Sequence, residues 1–408
     1  MANKHFPSLN ENNEADPFGR VFLDGFHGDV FDLTDLNVIH FGVDTVRQLY
    51  RGRLKEEVLS LFHEPGIVDF AGKRWHTGRV GRDSGYQYRL QNADLGLILL
   101  VKSFHAAADA DGHHLKIEVS PHAIRAQTAY HLQQTLNELA DQVLVNAAPV
   151  QCAVHIAMDV QGWVPGRDFE AKLHCRSRKN QSYSGIDSLD FASTSAVYGR
   201  GETYTFGSAS GIQLSVYDKT KEAKHRDKLD YWKTVWKGYQ EDLPVTRIEL
   251  RFHHSVVQQF ADGSVNPDTG EVIDSHDFHA LEPYLDGLWQ YGLQGFRYLQ
   301  RPGYFHPVWT VLSRHMLTTD QPPVEMKRYY KSASGFSGKN VELLLGNFIS
   351  CAARQRMTAR NTWRALRKLP FFQVLQDHYE SKGKDLQELR GHISELLEER
   401  YIRYGKAV

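Results

Sequence analysis

Tyr217, followed by Asp218 and Lys219, closes a stretch that alternates with a period of two. Ile212, Leu214 and Val216 fall on one face; Gln213, Ser215, Tyr217 and Lys219 fall on the other. That period marks a half-buried strand, which sends the apolar set to a core and Tyr217 to the polar face. A phenol placed there, next to an acid and a base, is a candidate nucleophile for a phosphodiester. A phosphotyrosine link keeps a broken strand end attached and lets an incoming hydroxyl reverse the step. Acidity is its weakness: with an ordinary pKa of about 10, roughly 0.1% is ionised at pH 7, so a base or a metal has to help. The same residues also describe an ordinary hairpin strand with an exposed tyrosine.

Two further strand-like segments carry groups that suit this chemistry. In residues 149–163, Val154, Ile156 and Met158 face one way and His155, Ala157 and Asp159 the other. In residues 245–254, Val245, Arg247, Glu249, Arg251 and His253 share one face, and Thr246, Ile248, Leu250 and Phe252 share its opposite. If the three strands are neighbours in one antiparallel sheet, their polar faces converge. Asp159 and Glu249, with Asp218 as a third candidate, then offer oxygen ligands to a divalent metal, Mg²⁺ or Mn²⁺. Such an ion stabilises charge developing on a scissile phosphate. Arg247 and Arg251 offer guanidinium forks for the phosphate oxygens.

The elements that must position these groups read as an α+β fold: a central antiparallel sheet with flanking helices, then a mainly helical C-terminal domain. Strands are expected at 86–92, 95–104 and 114–120, where alternating or continuous apolar runs are bounded by turn residues. Helical spacing marks residues 45–62 and, more strongly, 126–145, where Leu132, Leu136, Leu139 and Val143 recur. Residues 171–190 form a polar, basic loop, and a charged helical segment follows Tyr217. Residues 1–20, Asn-rich, acidic and without periodicity, are expected to be a disordered arm. The predicted domains are then 21–265, carrying the chemistry, and 275–408, helical and basic.

The totals bound the partners. The 408 residues carry 48 Lys and Arg against 49 Asp and Glu, so net charge alone gives no sign of nucleic acid. The charge is unevenly spread: residues 301–408 hold 18 Lys and Arg against 10 Asp and Glu. The excess lies in 324–368, where Lys327, Arg328, Lys331, Lys339, Arg354, Arg356, Arg360, Arg364, Arg367 and Lys368 face only Glu325 and Glu342. This block, together with Lys219 beside the tyrosine, is the expected DNA-binding surface. Residues 341–368 read as two helices joined near Met357 and Thr358. The final helix, 385–404, has Leu386, Leu389, Ile393, Leu396 and Leu397 on one face and is suited to packing or to pairing with a second copy. Three scattered cysteines, no apolar run longer than 95–101 and no signal-peptide pattern at the start fit a cytoplasmic protein with no membrane partner.

The order of these segments resembles the replication initiation factor family, the rolling-circle initiators of plasmids, filamentous phages and integrative elements. The resemblance rests on HIAMD at 155–159, TYTFGS at 203–208 running into YDK at 217–219, and RIE at 247–249, and covers roughly residues 80–260. Ala153 stands where that family usually has Arg, His155 where its first acid stands, Ser215 where an Arg often precedes YDK, and Thr205 where Tyr is common. The chain contains no His-x-His, unlike initiators with a paired-histidine metal site. The resemblance implies a sequence-specific, metal-dependent nick in double-stranded origin DNA. Tyr217, or Tyr204 as the alternate, would stay linked to the 5′ phosphate of the nicked single strand. A host helicase and polymerase would then extend the free 3′ hydroxyl. A relaxase serving transfer of a mobile element uses the same chemistry. The departures at His155 and Ser215 keep open a DNA-binding regulator without cleavage.

Overall fold

The three strands expected to share a face do so. The computed structural model describes residues 4–81, 84–175, 180–183, 203–263, 273–317, 324–328, 338–380 and 384–401. It joins Ile212–Asp218, Thr246–Phe252 and Leu144–Gln161 as antiparallel neighbours. They sit within an eleven-stranded sheet. Beyond Ile212–Asp218 lie Thr203–Gly207 and Asn180–Tyr183 at one edge. Beyond Leu144–Gln161 lie Asn37–Leu54, Gly112–Val119, Leu97–Ser103, Tyr86–Asn92, Lys73–Arg79 and Ile67–Phe70 in turn.

Register fixes which side chains meet. Asp159 lies opposite Arg247, Ala157 opposite Glu249 and His155 opposite Arg251. Across the other edge of Thr246–Phe252, Tyr217 faces Arg247, Ser215 faces Glu249 and Gln213 faces Arg251. Side chains alternate along a strand, so all nine project from one face. The other face carries Val154, Ile156, Met158, Leu214, Val216, Ile248, Leu250 and Phe252, all buried. Each large apolar side chain so buried contributes about 1.5–3 kcal/mol. The helix Leu285–Gly295 crosses this face so closely that a Cβ at Gly292 would lie 2.4 Å from Leu250 Cδ1. The expected amphipathic helix is Ala129–Val143, started by Thr128, whose hydroxyl accepts from the His131 N–H, and buried through Leu132, Leu136, Ala140 and Val143.

Three expectations are corrected. Residues 45–62 are not a helix: Asn37–Leu54 is a strand, and only Glu56–Ser60 is helical. Leu49, Leu54 and Val58 imitate helical spacing, but this strand lies between Leu144–Gln161 and Gly112–Val119, so both of its edges find ladder partners and tertiary pairing outweighs local preference. The N-terminal segment is not a free arm. Ser8–Leu9 pairs with Val21–Asp24, and Phe6 is 3% exposed, stacked 4.9 Å from the Tyr304 ring. One buried aromatic and a short ladder anchor an otherwise polar segment.

The domain boundary also moves. The chain divides into compact units at Met1–Tyr329 and Tyr330–Val408, not near 265–275. Phe278, Leu281, Leu288, Trp289 and Met326 belong to the sheet's core, so the helices after residue 273 cover the sheet. The second unit packs Gly338–Arg354, Ala359–Leu366, Phe372–Glu380 and Leu386–Tyr401 around Leu345, Ile349, Leu366, Leu375, Ile393 and Leu397. Among the described residues no helix is long and apolar enough to cross a membrane.

Candidate functional site

The polar face of the sheet has a roofed end and an open end. At the roofed end Arg247 is wholly buried. Its Nε donates to Asp159 Oδ1 at 2.6 Å, its Nη2 to Asp159 Oδ2 at 2.7 Å, and its Nη1 to Asp44 at 2.5 Å. Trp236 Nε1 donates to Asp159 Oδ2 at 2.8 Å, and the guanidinium lies 4.3 Å from the centre of the Trp232 ring. Those tryptophans come from Leu229–Val235 and the residue that ends it. The preceding helix, Lys219–His225, starts because the Asp218 side chain accepts from the Lys221 N–H. Burial pushes the Asp159 carboxyl up, but the Arg247 charge outweighs it and holds that carboxyl below the usual range. Burial opposes charge on Arg247, and Asp159 and Asp44 more than restore it.

Glu249 organises the open end. Arg251 Nε donates to its Oε1 at 2.8 Å and Arg251 Nη2 to its Oε2 at 3.2 Å. His155 Nδ1 lies 3.2 Å from Oε1, and the Tyr217 hydroxyl donates to Oε2 at 3.1 Å. Burial raises the Glu249 carboxyl, yet Arg251 and His155 bring it well below the ordinary carboxylate range. Tyr217 is driven the other way: burial, then the Glu249 charge, push its hydroxyl well above 10. Burial lowers His155, against the pull of Glu249, which raises it.

Arg251, His155 and Gln213 are also wall residues of a groove of about 580 Å³ that runs across the sheet to Arg47, Arg51 and Lys116. His105, His113, His253 and His254 join the lining. Each groove cation has a carboxylate: Glu118 for Arg47 and Lys116, Asp111 for Arg51, Glu249 for Arg251. An entering anion therefore exchanges partners with carboxylates already there. The groove was not foreseen, because residues 45–62 were read as a helix. As a strand, Arg47, Leu49 and Arg51 alternate onto one face, and that period was the available signal.

The other expected site residues are placed as follows. Tyr217 reaches the polar face, half-buried, as its period requires. Tyr204 points to the apolar face, buried 5.1 Å from the Phe169 ring, and so is not placed as a nucleophile. Arg247 is closed onto Asp159 and Asp44 and has no fork left for a phosphate, whereas Arg251 stands in the groove wall. Lys219 is buried against Glu222 at 2.5 Å and the Trp232 ring at 4.5 Å, which removes it from the DNA surface. Lys327 lies 3.3 Å from Glu325, Arg328 donates to Gln259 at 2.6 and 3.0 Å, and Lys331 falls outside the described residues. Arg354, Arg356, Arg360, Arg364, Arg367 and Lys368 are all exposed.

The proposed metal ligands do not fit an ion as arranged. Both oxygens of Asp159 are taken by Arg247 and Trp236, both of Glu249 by Arg251, His155 and Tyr217, and Asp218 caps a helix. Among the described residues the one group of three ligand-type side chains that draws together is Asp24, His27 and Asp29, and Asp24 there already binds Arg301. Thr205 and Ser215 face one another on the polar side with buried hydroxyls that lack a partner among the described residues.

No family model matches the chain. Over 420 residues it is 46% identical to the uncharacterized protein ORF430 of Pseudomonas phage Pf1, an alignment that covers 98% of this chain and 97% of that one.

Proposed function

The chain belongs to the family of the Pseudomonas phage Pf1 protein, and on that footing we propose that it is a phage replication initiator of the rolling-circle type, which nicks one strand of its origin with Tyr217. The carrying observation is the Tyr217 hydroxyl donating to Glu249 at 3.1 Å, beside a groove whose wall holds Arg251. The order of the HIAMD, TYTFGS, YDK and RIE segments supports the reading, as does a relative encoded by a phage, whose genome must be copied.

In this reading a DNA phosphate enters the groove and takes the Arg251 guanidinium away from Glu249. Relieved of that charge, the Glu249 carboxyl rises toward its ordinary range and becomes a better base. The Tyr217 oxygen attacks phosphorus as its proton passes to Glu249. The new bond joins the Tyr217 oxygen to phosphorus, and the bond to the 3′ oxygen breaks. That oxygen takes a proton from water and leaves as a 3′ hydroxyl for a host polymerase, with a host helicase opening the duplex ahead. Arg251 offsets charge on the phosphoryl oxygens. Arg247 and Asp159 act through position, holding the strand that carries Glu249. No step is routed through Mg²⁺ or Mn²⁺, because the carboxylates are already engaged.

Supercoiled double-stranded phage genome, incubated with the protein and with Mg²⁺ or Mn²⁺ added, should give open circles carrying covalently bound protein. Tyr217→Phe should bind the DNA equally and give no adduct; an undiminished adduct from that variant contradicts the reading. A second reading, DNA binding without cleavage, is favoured by the firmly protonated Tyr217. It predicts binding with no open circles under either metal.

A further inference from the structure

The C-terminal unit carries a cationic face unlike anything on the sheet. Residues 354–368 contain six Arg and Lys and no acid. Arg354, Arg356, Arg360, Arg364, Arg367 and Lys368 make no ion pair with any described residue, although acidic residues lie elsewhere in the same unit. Unpaired surface cations without counter-charge are what a polyanion needs, since binding then costs no existing pair.

The backbone beneath them is specific. Gly338–Arg354 ends in a tight reversal in which Arg356 adopts a left-handed φ of 53° and the Met357 N–H donates to Ala352 O at 2.9 Å. Thr358 then caps Ala359–Leu366, accepting from the Asn361 N–H. Four residues therefore separate two helices, the length of a helix-turn-helix connection. Ala352 and Ala353 are buried at the end of the first helix. Thr362 and Leu366, four residues apart, bury one side of the second, and Trp363 packs 5.7 Å from Phe372. The opposite side presents Arg360, Arg364 and Arg367 on one stripe, with Asn361 and Lys368 along its flank. An α-helix with its side chains is about 10–12 Å across, a cross-section that the DNA major groove admits.

We propose that residues 338–366 form a helix-turn-helix that lays Ala359–Leu366 in the major groove of duplex DNA. Arg360, Asn361 and Arg364 face base edges, as arginine suits guanine and asparagine suits adenine. Arg354, Arg356, Arg367 and Lys368 lie on the phosphates to either side. The charge commits the face to a polyanion, and its display along one exposed side of a helix commits it to a groove rather than to splayed single-strand bases. Resting on the function proposed above, this assigns origin recognition to the second unit. It stands or falls on duplex binding, whatever happens at Tyr217.

The test is selection of full-length protein on duplexes with a randomised centre, followed by anisotropy titration of the enriched duplex, an unselected duplex and a single strand of equal length. We expect a short enriched motif and tighter binding of the enriched duplex than of either control. Arg364→Ala should weaken the enriched duplex by roughly 5- to 150-fold and the unselected duplex far less. Arg367→Gln should weaken both duplexes alike and lower the salt exponent by about one. Because both side chains are exposed, circular dichroism and thermal midpoint should stay at wild-type values. No enrichment, a preference for the single strand, or equal losses on both duplexes for Arg364→Ala would each overturn the assignment.

Discussion

Two sets of arginines divide the labour of this molecule. On the polar face of the sheet, Arg247 is buried between Asp159 and Asp44, and Arg251, Arg47 and Arg51 each hold a carboxylate. On the helix Ala359–Leu366 and the residues that flank it, the arginines are exposed and unpaired among the described residues. A charge taken out of water must be matched where it sits, and a matched charge holds geometry. A charge left in water keeps its freedom to meet a phosphate. The difference teaches that counting basic residues says little until one knows which of them already have partners.

The comparison is broken most severely at Arg247. Arg247→Ala strands two carboxylates on a buried face and should cost about 3–5 kcal/mol, whereas Arg364→Ala should stay within about 0.5 kcal/mol. Urea unfolding of both variants checks this; similar losses would mean the two sets do not differ in kind.

Salt is the next lever. With four cations of the second unit, Arg354, Arg356, Arg367 and Lys368, on phosphates, duplex affinity should fall by about 10² between 50 and 200 mM salt. Replacing Arg354, Arg367 and Lys368 together by Gln should lower the exponent by about three, and Arg51→Gln in the groove by less than one, since Arg51 already holds Asp111. Titrations across salt concentration read both directly.

Acid acts chiefly on the first unit. Burial holds His40, His254 and His306 of the first unit down to about 4. Below about 6.5 the unfolded chain takes up protons that the folded chain refuses, so stability falls as pH drops from about 6.5 toward 4 and is flat above that window. Thermal midpoints at pH 7.5, 6 and 5 should decline in that order, with the larger step below pH 6.

Much of this arrangement was legible in the chain. Period-two alternation placed Tyr217, Glu249 and Asp159 on one polar face, because that face is decided by residue order once the strands are neighbours. Which carboxylate would close on which arginine was not legible, since it depends on register between strands that lie some 90 residues apart, such as Asp159 and Arg247. The groove was missed for a local reason: Leu49, Leu54 and Val58 fit a helix as well as a strand until the neighbours on both edges are known. The boundary at residue 329 was missed because helices that cover a sheet and helices that pack on one another look alike in composition.

The central claim is that Tyr217 bonds to DNA with Glu249 as its proton acceptor. Its most direct test is mass spectrometry of the protein after incubation with supercoiled phage genome, nuclease digestion and proteolysis. The account predicts a nucleotide phosphate on the peptide containing Tyr217 and on no other tyrosine. A modified Tyr204 peptide, or unmodified Tyr217 in a sample that has produced open circles, would contradict it.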